Sequence, residues 1–468
     1  MITITRLMAR QVRAVFSRCL SSASRGPFSP VTFCADNNGL TIRAKSHDAA
    51  IEFHQPGDFA GEQFAVPFDI LKQCEGSKAD DVTLELIDQR VAVQWSDGGI
   101  PQVVQVDVES TDEDFPVVPS EIAANDARLV TALRDAAATA DNNATRYALN
   151  CLQLQGKQGK IAATDGHQLL VQDGFEFPWA DDVLIPARRV FASRELDSGE
   201  PVEVGKSDDW VCFRVGPWTL QFKVEKESRF PHVEDHVPDA DSAVTTLHVS
   251  DTDAVFLSKS VTRLPSSGDF NSPVTVDLNG AVAIRAKSEE QSVPTELILS
   301  NSSRSGDVIR FNTNREFLAR AMKLGFRDVR FTGPEAPAFC RDQNRQYLWA
   351  LLGKAGAIQP HGSAVRIESP TDPVSPSKSQ PQPRRTPVTM SQPKNNRTNG
   401  NGKHNGDSAP ESNGTTSLIE QAETLRDSLQ DVLSQTRELI AGLKRQKKQS
   451  RLMKSTLASL RQLQSIDA

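Results

Sequence analysis

Asp165 and His167 stand two residues apart in "IAATDGHQLLV", and a carboxylate that close to an imidazole is the pairing that general acid–base chemistry uses. His232 and His236 stand four apart, a spacing that lets one helical face hold a metal ion. Neither pair has the company such chemistry needs. The sequence holds no Gly-x-Ser-x-Gly, no Gly-x-x-x-x-Gly-Lys to cradle phosphate, and no carboxylate set to complete a metal sphere. Asp165-Gly166 reads as a tight turn. His232 and His236 follow Pro231 in an acidic loop, where helical spacing has no meaning. No catalytic group, metal site or cofactor is expected. Six cysteines lie far apart with no Cys-x-x-Cys, so they read as reduced thiols filling a core.

The elements that carry these residues repeat. "IRAKS" occurs at Ile42–Ser46 and again at Ile284–Ser288, and Ile161–Val171 sits halfway between, with Ala44, Ala163 and Ala286 in register. Val66-Pro67, ahead of FDILKQC, is echoed by Ile185-Pro186 ahead of ARRVFASREL. Phe115-Pro116 is echoed by Phe230-Pro231. The pattern predicts three copies of one α+β unit of strand, helix, strands, second helix and strands, over 1–121, 122–243 and 244–358. The chain of 468 residues is long enough for three such cores. No apolar run is long enough to span a membrane.

The first 25 residues carry five arginines and no acid, as an organelle transit peptide would. Ile2 and Ile4 nevertheless alternate like a strand. Val12, Val15, Phe16 and Cys19 share one helical face, so the segment is expected to be the first strand and helix of the first repeat. Residues 359–416 read as a disordered linker, with no Leu, Ile, Phe, Tyr or Trp between Glu368 and Ser417. From 417 to 466 apolar residues fall on 4-3 spacing from Leu418 to Leu460, the seam of a coiled coil whose partner is unknown.

Charge is unevenly placed. Residues 1–360 hold 37 Lys and Arg against 50 Asp and Glu, net −13, while the chain as a whole is −7. An acidic body argues against nucleic acid. The predicted helices are locally basic: Arg6, Arg10, Arg13 and Arg18; Lys72; Arg128 and Arg134; Arg188, Arg189 and Arg194; Lys259 and Arg263; Arg315, Arg320, Lys323 and Arg327. If equivalent helices share a surface, that surface is positive and the acids lie on the strands outside it.

"TRYALNCLQLQGKQGKIAATDGHQLLVQDG" and "FKVEKESRFPHVEDHVP" resemble the two markers of the middle domain of the bacterial sliding clamp family, the beta subunit of DNA polymerase III. "DFP" at Asp114–Pro116 is similar to the end of that family's first domain. The resemblance covers residues 1 to about 355. It implies three DNA-clamp domains, two chains closed head to tail around double-stranded DNA, sequence-independent contacts, and a bacterial cytoplasmic, nucleoid-associated protein. It implies DNA contacts from Arg25, Asn143 and Tyr147, which join Arg10, Arg13, Arg188, Arg189 and Arg320 from the basic helices. It also implies an apolar cleft for short peptides of polymerase and clamp loader subunits, formed by Leu149, Thr164, Gly166, His167, Gln168, Leu169 and Pro238 with Leu348, Ala350 and Leu351. Gln168 departs from the family's usual Arg, and the chain continues past "YLWALLGKAG" where the family ends. The alternative is a clamp-derived accessory or regulatory protein that no longer serves the replicative polymerase.

Overall fold

Ile2 and Ile4 bury while Thr3 stays exposed, so the chain begins as a strand, β1 (Ile2–Thr5). The Thr5 hydroxyl then accepts the Met8 N–H at 3.1 Å and starts helix α1 (Arg6–Leu20), whose Val12, Val15, Phe16 and Cys19 enter the core. The basic N-terminus is thus structural, as its pattern predicts. The structure is a computed structural model that describes residues 1–21, 28–110, 114–141, 147–207, 209–233, 237–239, 242–266, 268 and 271–371. The chain divides into Met1–Lys378 and Ser379–Ala468. The predicted coiled coil and all of the linker beyond 371 lie outside the described residues.

The first repeat continues with β2 (Val31–Asp36), β3 (Gly39–Lys45), β4 (Ala49–Pro56), β5 (Glu62–Val66), α2 (Asp69–Cys74), β6 (Asp81–Ile87), β7 (Arg90–Asp97) and β8 (Ile100–Asp107). The second holds β9 (Ile122–Asn125), α3 (Arg128–Ala137), β10 (Cys151–Gln155), β11 (Lys160–Thr164), β12 (Gln168–Gln172), β13 (Asp182–Pro186), β14 (Val202–Lys206), β15 (Trp210–Val215) and β16 (Trp218–Lys223). The third holds β17 (Thr245–His248), α4 (Asp251–Ser260), β18 (Pro273–Asp277), β19 (Ala283–Ala286), β20 (Thr295–Ile298), β21 (Ser303–Gly306), β22 (Arg310–Asn314), α5 (Arg315–Lys323), β23 (Asp328–Phe331), β24 (Ala338–Arg341) and β25 (Arg345–Trp349).

IRAKS lies on β3 and β19, and its middle counterpart lies on β11. Each is the third strand in its four-strand set: β5-β2-β3-β4, β13-β10-β11-β12 and β22-β18-β19-β20. Ala44, Ala163 and Ala286 are all buried there. The sets do not end at the repeats. β4 pairs antiparallel with β16, and β12 with β25, so that sheets of eight and nine strands run across the two internal boundaries. One apolar core serves the first two repeats and a second serves the third.

Two local departures from the sequence pattern have physical causes. ARRVFASREL forms two 3-10 turns, Arg189–Ala192 and Arg194–Leu196, instead of an α-helix. An unbroken helix would spread Val190, Phe191 and Leu196 around its circumference; the break at Ser193 lets all three bury. The linker also begins later than residue 359. Leu352 N–H donates to Asn312 O at 2.8 Å, Ile358 N–H to Thr275 Oγ1 at 2.9 Å, and Val365–Glu368 forms a strand, β26, parallel to β20. The alternation of Val365, Arg366, Ile367 and Glu368 is too short a pattern to mark a strand from sequence.

The segment crosses the outer face of the β22-β18-β19-β20 sheet and covers a row of charges. Arg285 bonds Asp277 at 2.5 Å and Glu296 at 2.6 Å; Arg310 reaches Asp277 at 2.9 Å and Arg366 of β26 reaches Glu296 at 3.0 Å. Asp277, Arg285 and Glu296 are all buried. The thiols behave as core filler: burial raises Cys74 to about 11 and Cys151 and Cys212 to about 12, and lifts Cys19 and Cys340 further.

Burial alone would raise the Asp277 carboxyl, but hydrogen bonds from Arg285, Arg310 and the Asn279 N–H outweigh it and hold the group below the usual range. Its contribution is therefore complete above the unfolded value of about 4 and lost as pH falls through the lower folded value. Asp277→Asn should cost about 3 kcal/mol or more at pH 7 by leaving buried guanidinium charge uncompensated. Urea midpoints of wild type and variant, followed from pH 7 to pH 2, should converge on the acid side; parallel curves would show that the ladder is not the acid-labile element.

Candidate nucleic-acid interface and partner cleft

Helices and turns of the three repeats pack side by side in the order α2, α1, the 3-10 turns, α3, α5 and α4. Each contributes a buried apolar stripe and leaves polar positions facing outward. On the outward positions Arg10, Lys72, Arg189, Arg194, Lys259 and Lys323 are exposed and make no ion pair among the described residues. Exposed acids on the same elements are fewer: Asp69, Glu316 and Asp251, the last held by Arg327 at 2.6 Å. The layer is positive although the body is acidic. Mobile cations of this kind contact phosphate without reading bases.

Not every arginine expected on this surface is available to it. Arg10 and Arg189 are exposed, and so is Tyr147. Arg13 grips Glu75 through two nitrogens at 2.5 and 3.1 Å. Arg188 is buried against Asp48, and Arg320 bonds Asp135 O at 2.6 Å and Thr139 Oγ1 at 2.7 Å at the end of α3. Arg188 and Arg320 are thus structural cations that join elements, a role sequence spacing does not distinguish from phosphate contact. Arg25 and Asn143 lie outside the described residues. A cavity of ≈ 940 Å³ opens beside the layer between the ends of α3, β13 and β16. Its wall sets Arg134, Arg188, Arg189, Lys223 and Lys226 against Asp48, Asp141, Asp209, Glu225 and Glu227, a balance of charge that selects no ion.

On the opposite side of the β12–β25 boundary the Asp-Gly-His segment is a hairpin turn. Gly166 takes φ 88°, a left-handed value that favours glycine. Asp165 Oδ1 accepts the N–H groups of His167 and Gln168 at 2.8 and 2.9 Å, and Oδ2 accepts Gln168 Nε2 at 2.9 Å. The carboxylate is committed to the turn, so no acid–base pair with the exposed His167 ring forms. Gln168 is buried, and its Oε1 accepts the Tyr347 hydroxyl at 2.7 Å. An arginine there could not accept that bond. Burial holds the Tyr347 hydroxyl well above its ordinary value, so it stays a donor. His232 meets Arg229, and His236 lies outside the described residues.

Two of the residues expected at the cleft lie in a small apolar cluster of buried side chains. Leu169 and Leu348 lie in it with Ala162, Phe230, Val233 and Phe339, and Val237 packs on its margin. Thr164 is buried beneath the turn, Leu149 approaches Gly166, and Pro238 and Ala350 lie at partly or fully exposed positions beside it. Leu351 departs from expectation: it packs on the core of the third repeat and bridges to Thr313. Sequence reading did not name Phe230 and Phe339, which share the cluster with Leu169 and Leu348. Phe230 carried a signal, because Phe115-Pro116 repeats it one unit earlier.

Known structures share this arrangement. The chain is similar to the DNA polymerase III beta chain of Streptococcus pneumoniae (19% identity, TM-score 0.61, 75% of this chain and 98% of that one). It is similar too to the DNA polymerase III beta subunit of Thermotoga maritima (16%, 0.60, 76% and 99%) and to the DNA polymerase sliding clamp of Pseudomonas aeruginosa (17%, 0.60, 75% and 99%). The chain has the sliding-clamp fold. At the level of sequence, no family model and no curated protein matches it.

The Tyr347–Gln168–Asp165 chain makes a measurable claim about the clamp fold at this boundary. Tyr347→Phe should lower stability by about 1–3 kcal/mol, because it leaves the buried Gln168 carbonyl without a donor. In a Gln168→Leu background the same change should cost at least 0.5 kcal/mol less, roughly the smallest coupling expected of contacting residues. Additive losses in urea unfolding would mean that the two side chains do not act together.

Proposed function

We propose that the protein is a DNA sliding clamp that closes head to tail with a second copy into a ring around duplex DNA and tethers a polymerase for processive synthesis. The observation that carries the reading is the helical layer, which gathers exposed Lys and Arg from all three repeats while residues 1–360 are acidic at net −13. A closed ring needs no catalytic group. It holds its client at high local concentration by topology, and phosphate contacts without sequence preference permit sliding.

The strand plan supports ring closure. Each internal boundary joins the last strand of one four-strand set to the last strand of the next repeat, as β4–β16 and β12–β25 do. By the same plan the strands left without a partner from another repeat are β8 of the first repeat and β20 of the third. In the proposed ring each copy supplies its β8 to the β20 edge of the other. In this reading Arg10, Arg189 and Tyr147 touch DNA, with Arg25 and Asn143 as further contacts. The three clamp domains are 1–121, 122–243 and 244–358, and the protein works at the nucleoid in the bacterial cytoplasm. The tails at 417–466 pair with one another or with a partner helix.

Loading onto nicked circular DNA by a cognate clamp loader tests the reading. The protein should stay on the circle at a salt concentration that strips unspecific binding, and leave when the circle is linearised. Equal retention on linear and circular DNA would reject encirclement.

One observation favours a second reading, a clamp-derived accessory or regulatory protein. Phe230, Val233 and Phe339 are buried in one apolar cluster with Leu169 and Leu348 of the expected cleft, and Gln168 is locked between Asp165 and Tyr347. Calorimetric titration with a peptide carrying a clamp-binding motif separates the two. A micromolar Kd that weakens at least about tenfold in Leu348→Asp, the loss of one buried apolar anchor, supports polymerase tethering. Absence of binding alongside retained encirclement supports the accessory role.

A further inference from the structure

The two ends of the strand plan are not in the same condition. β8 is an open edge, and Ile100 and Val103 on it are 64% and 60% exposed. β20 is not open, because its outer edge is already occupied by β26 of the same chain. Val365 N–H donates to Pro294 O at 3.0 Å and Ser369 N–H to Ile298 O at 2.9 Å, so the ladder spans the whole of β20. A strand of a second copy cannot pair with β20 while β26 is there.

β26 differs from the strands that fill the equivalent place at the internal boundaries. β16 and β25 lie antiparallel to their partners over five residue pairs each and bury large side chains, Trp218, Phe222, Tyr347 and Trp349 among them. β26 lies parallel over four pairs, and all four of its residues are exposed. Its side-chain hold is one contact, Arg366 to the buried Glu296, followed by Ser369, whose hydroxyl accepts Ser300 N–H at 2.9 Å. Parallel pairing over a short, unburied strand is the weaker arrangement. Backbone edges left open are also the sites where chains associate unintentionally.

We propose that β26 is an exchangeable edge strand that occupies the ring-closing edge of the lone chain and is displaced when β8 of a second copy pairs with β20. The proposal rests on the ring reading above and adds a step to it: closure is an exchange of strands, and loosening β26 shifts the chain toward the dimer. The exchange conserves the backbone ladder on β20 and pairs the open backbone edge of β8. It also takes Arg366 from Glu296, which keeps its ion pair with Arg285.

The test uses the full chain with Val365→Pro and Arg366→Glu together, which remove the donor to Pro294 and set like charge against Glu296. Sedimentation equilibrium should show a dimer Kd at least about tenfold lower than that of wild type. Hydrogen exchange on that dimer should show new protection at the amides of β8, retained protection at β20 and loss of protection at β26. Circular dichroism and thermal unfolding confirm that the variant is folded; if it is not, Arg366→Gln alone is used, with a smaller shift in the same direction expected. Dimers with equal Kd in wild type and variant, both protected at β8 and β20, overturn the exchange and leave the ring intact. Dimers protected elsewhere, or folded monomers in both, overturn the exchange and the ring reading together.

Discussion

A β-sheet is stable only as far as its edges are dealt with, and this chain deals with them by joining repeats edge to edge. β4 needs β16 and β12 needs β25, so neither internal boundary is a flexible hinge between separate domains. Each is continuous sheet with side chains from two repeats in register. Repeats that would be small cores by themselves become parts of larger ones, and the apolar core of the first two repeats is a single cluster. The same constraint fixes where the helices go: with the sheets continuous on one side, the helical segments must share the other.

Covering the outer face of the junctions is a second task, and the chain performs it three times with the segment that follows each repeat. After the first repeat the Phe115 ring stacks on Arg43 at 5.1 Å, and Pro116 O accepts Gln221 Nε2 at 2.9 Å across the β4–β16 boundary. After the second, Phe230 enters the apolar cluster at β12–β25. After the third, residues 350–369 cross the sheet and reach β20. Arg43 and Arg285 show what this covering does. They occupy the same place in the two IRAKS copies, yet Arg43 is half-buried over a ring and Arg285 is buried in an ion network. Identical pentapeptides meet different chemistry because different linkers lie over them.

How much could be read from the sequence follows the same division. Periodicity within a repeat is local, so the strand of Ile2 and Ile4, the stripe of α1, and the equivalence of β3, β11 and β19 were legible. Relations across a boundary are not local. Arg188 and Arg320 look like basic helix-face residues in sequence, and only the fold shows that one meets Asp48, 140 positions away, and the other caps α3. β26 was hidden for a different reason. Its alternation of Val365, Arg366, Ile367 and Glu368 is only four residues long and borders a polar stretch, too short a pattern to mark a strand. The turn at Asp165-Gly166 was legible because its chemistry is local, while the burial of Phe339 beside Leu169 and Leu348 depends on a neighbouring strand.

The arginines sort by whether the chain offers them an acceptor. Where a carboxylate or a helix C-terminus lies within reach, as for Arg13, Arg188, Arg285 and Arg320, the cation is fixed and its charge is neutralised locally. Where none does, as for Arg10, Arg189 and Arg194, the side chain keeps its freedom and its field extends into solvent. Freedom of that kind disfavours a single bound geometry, since ordering a long side chain costs up to about 2 kcal/mol. It suits a surface that passes many equivalent phosphates in succession, because no one contact is deep enough to stop the motion. An acidic chain can present such a surface only by keeping most of its acids off one layer and leaving unpaired cations together on it.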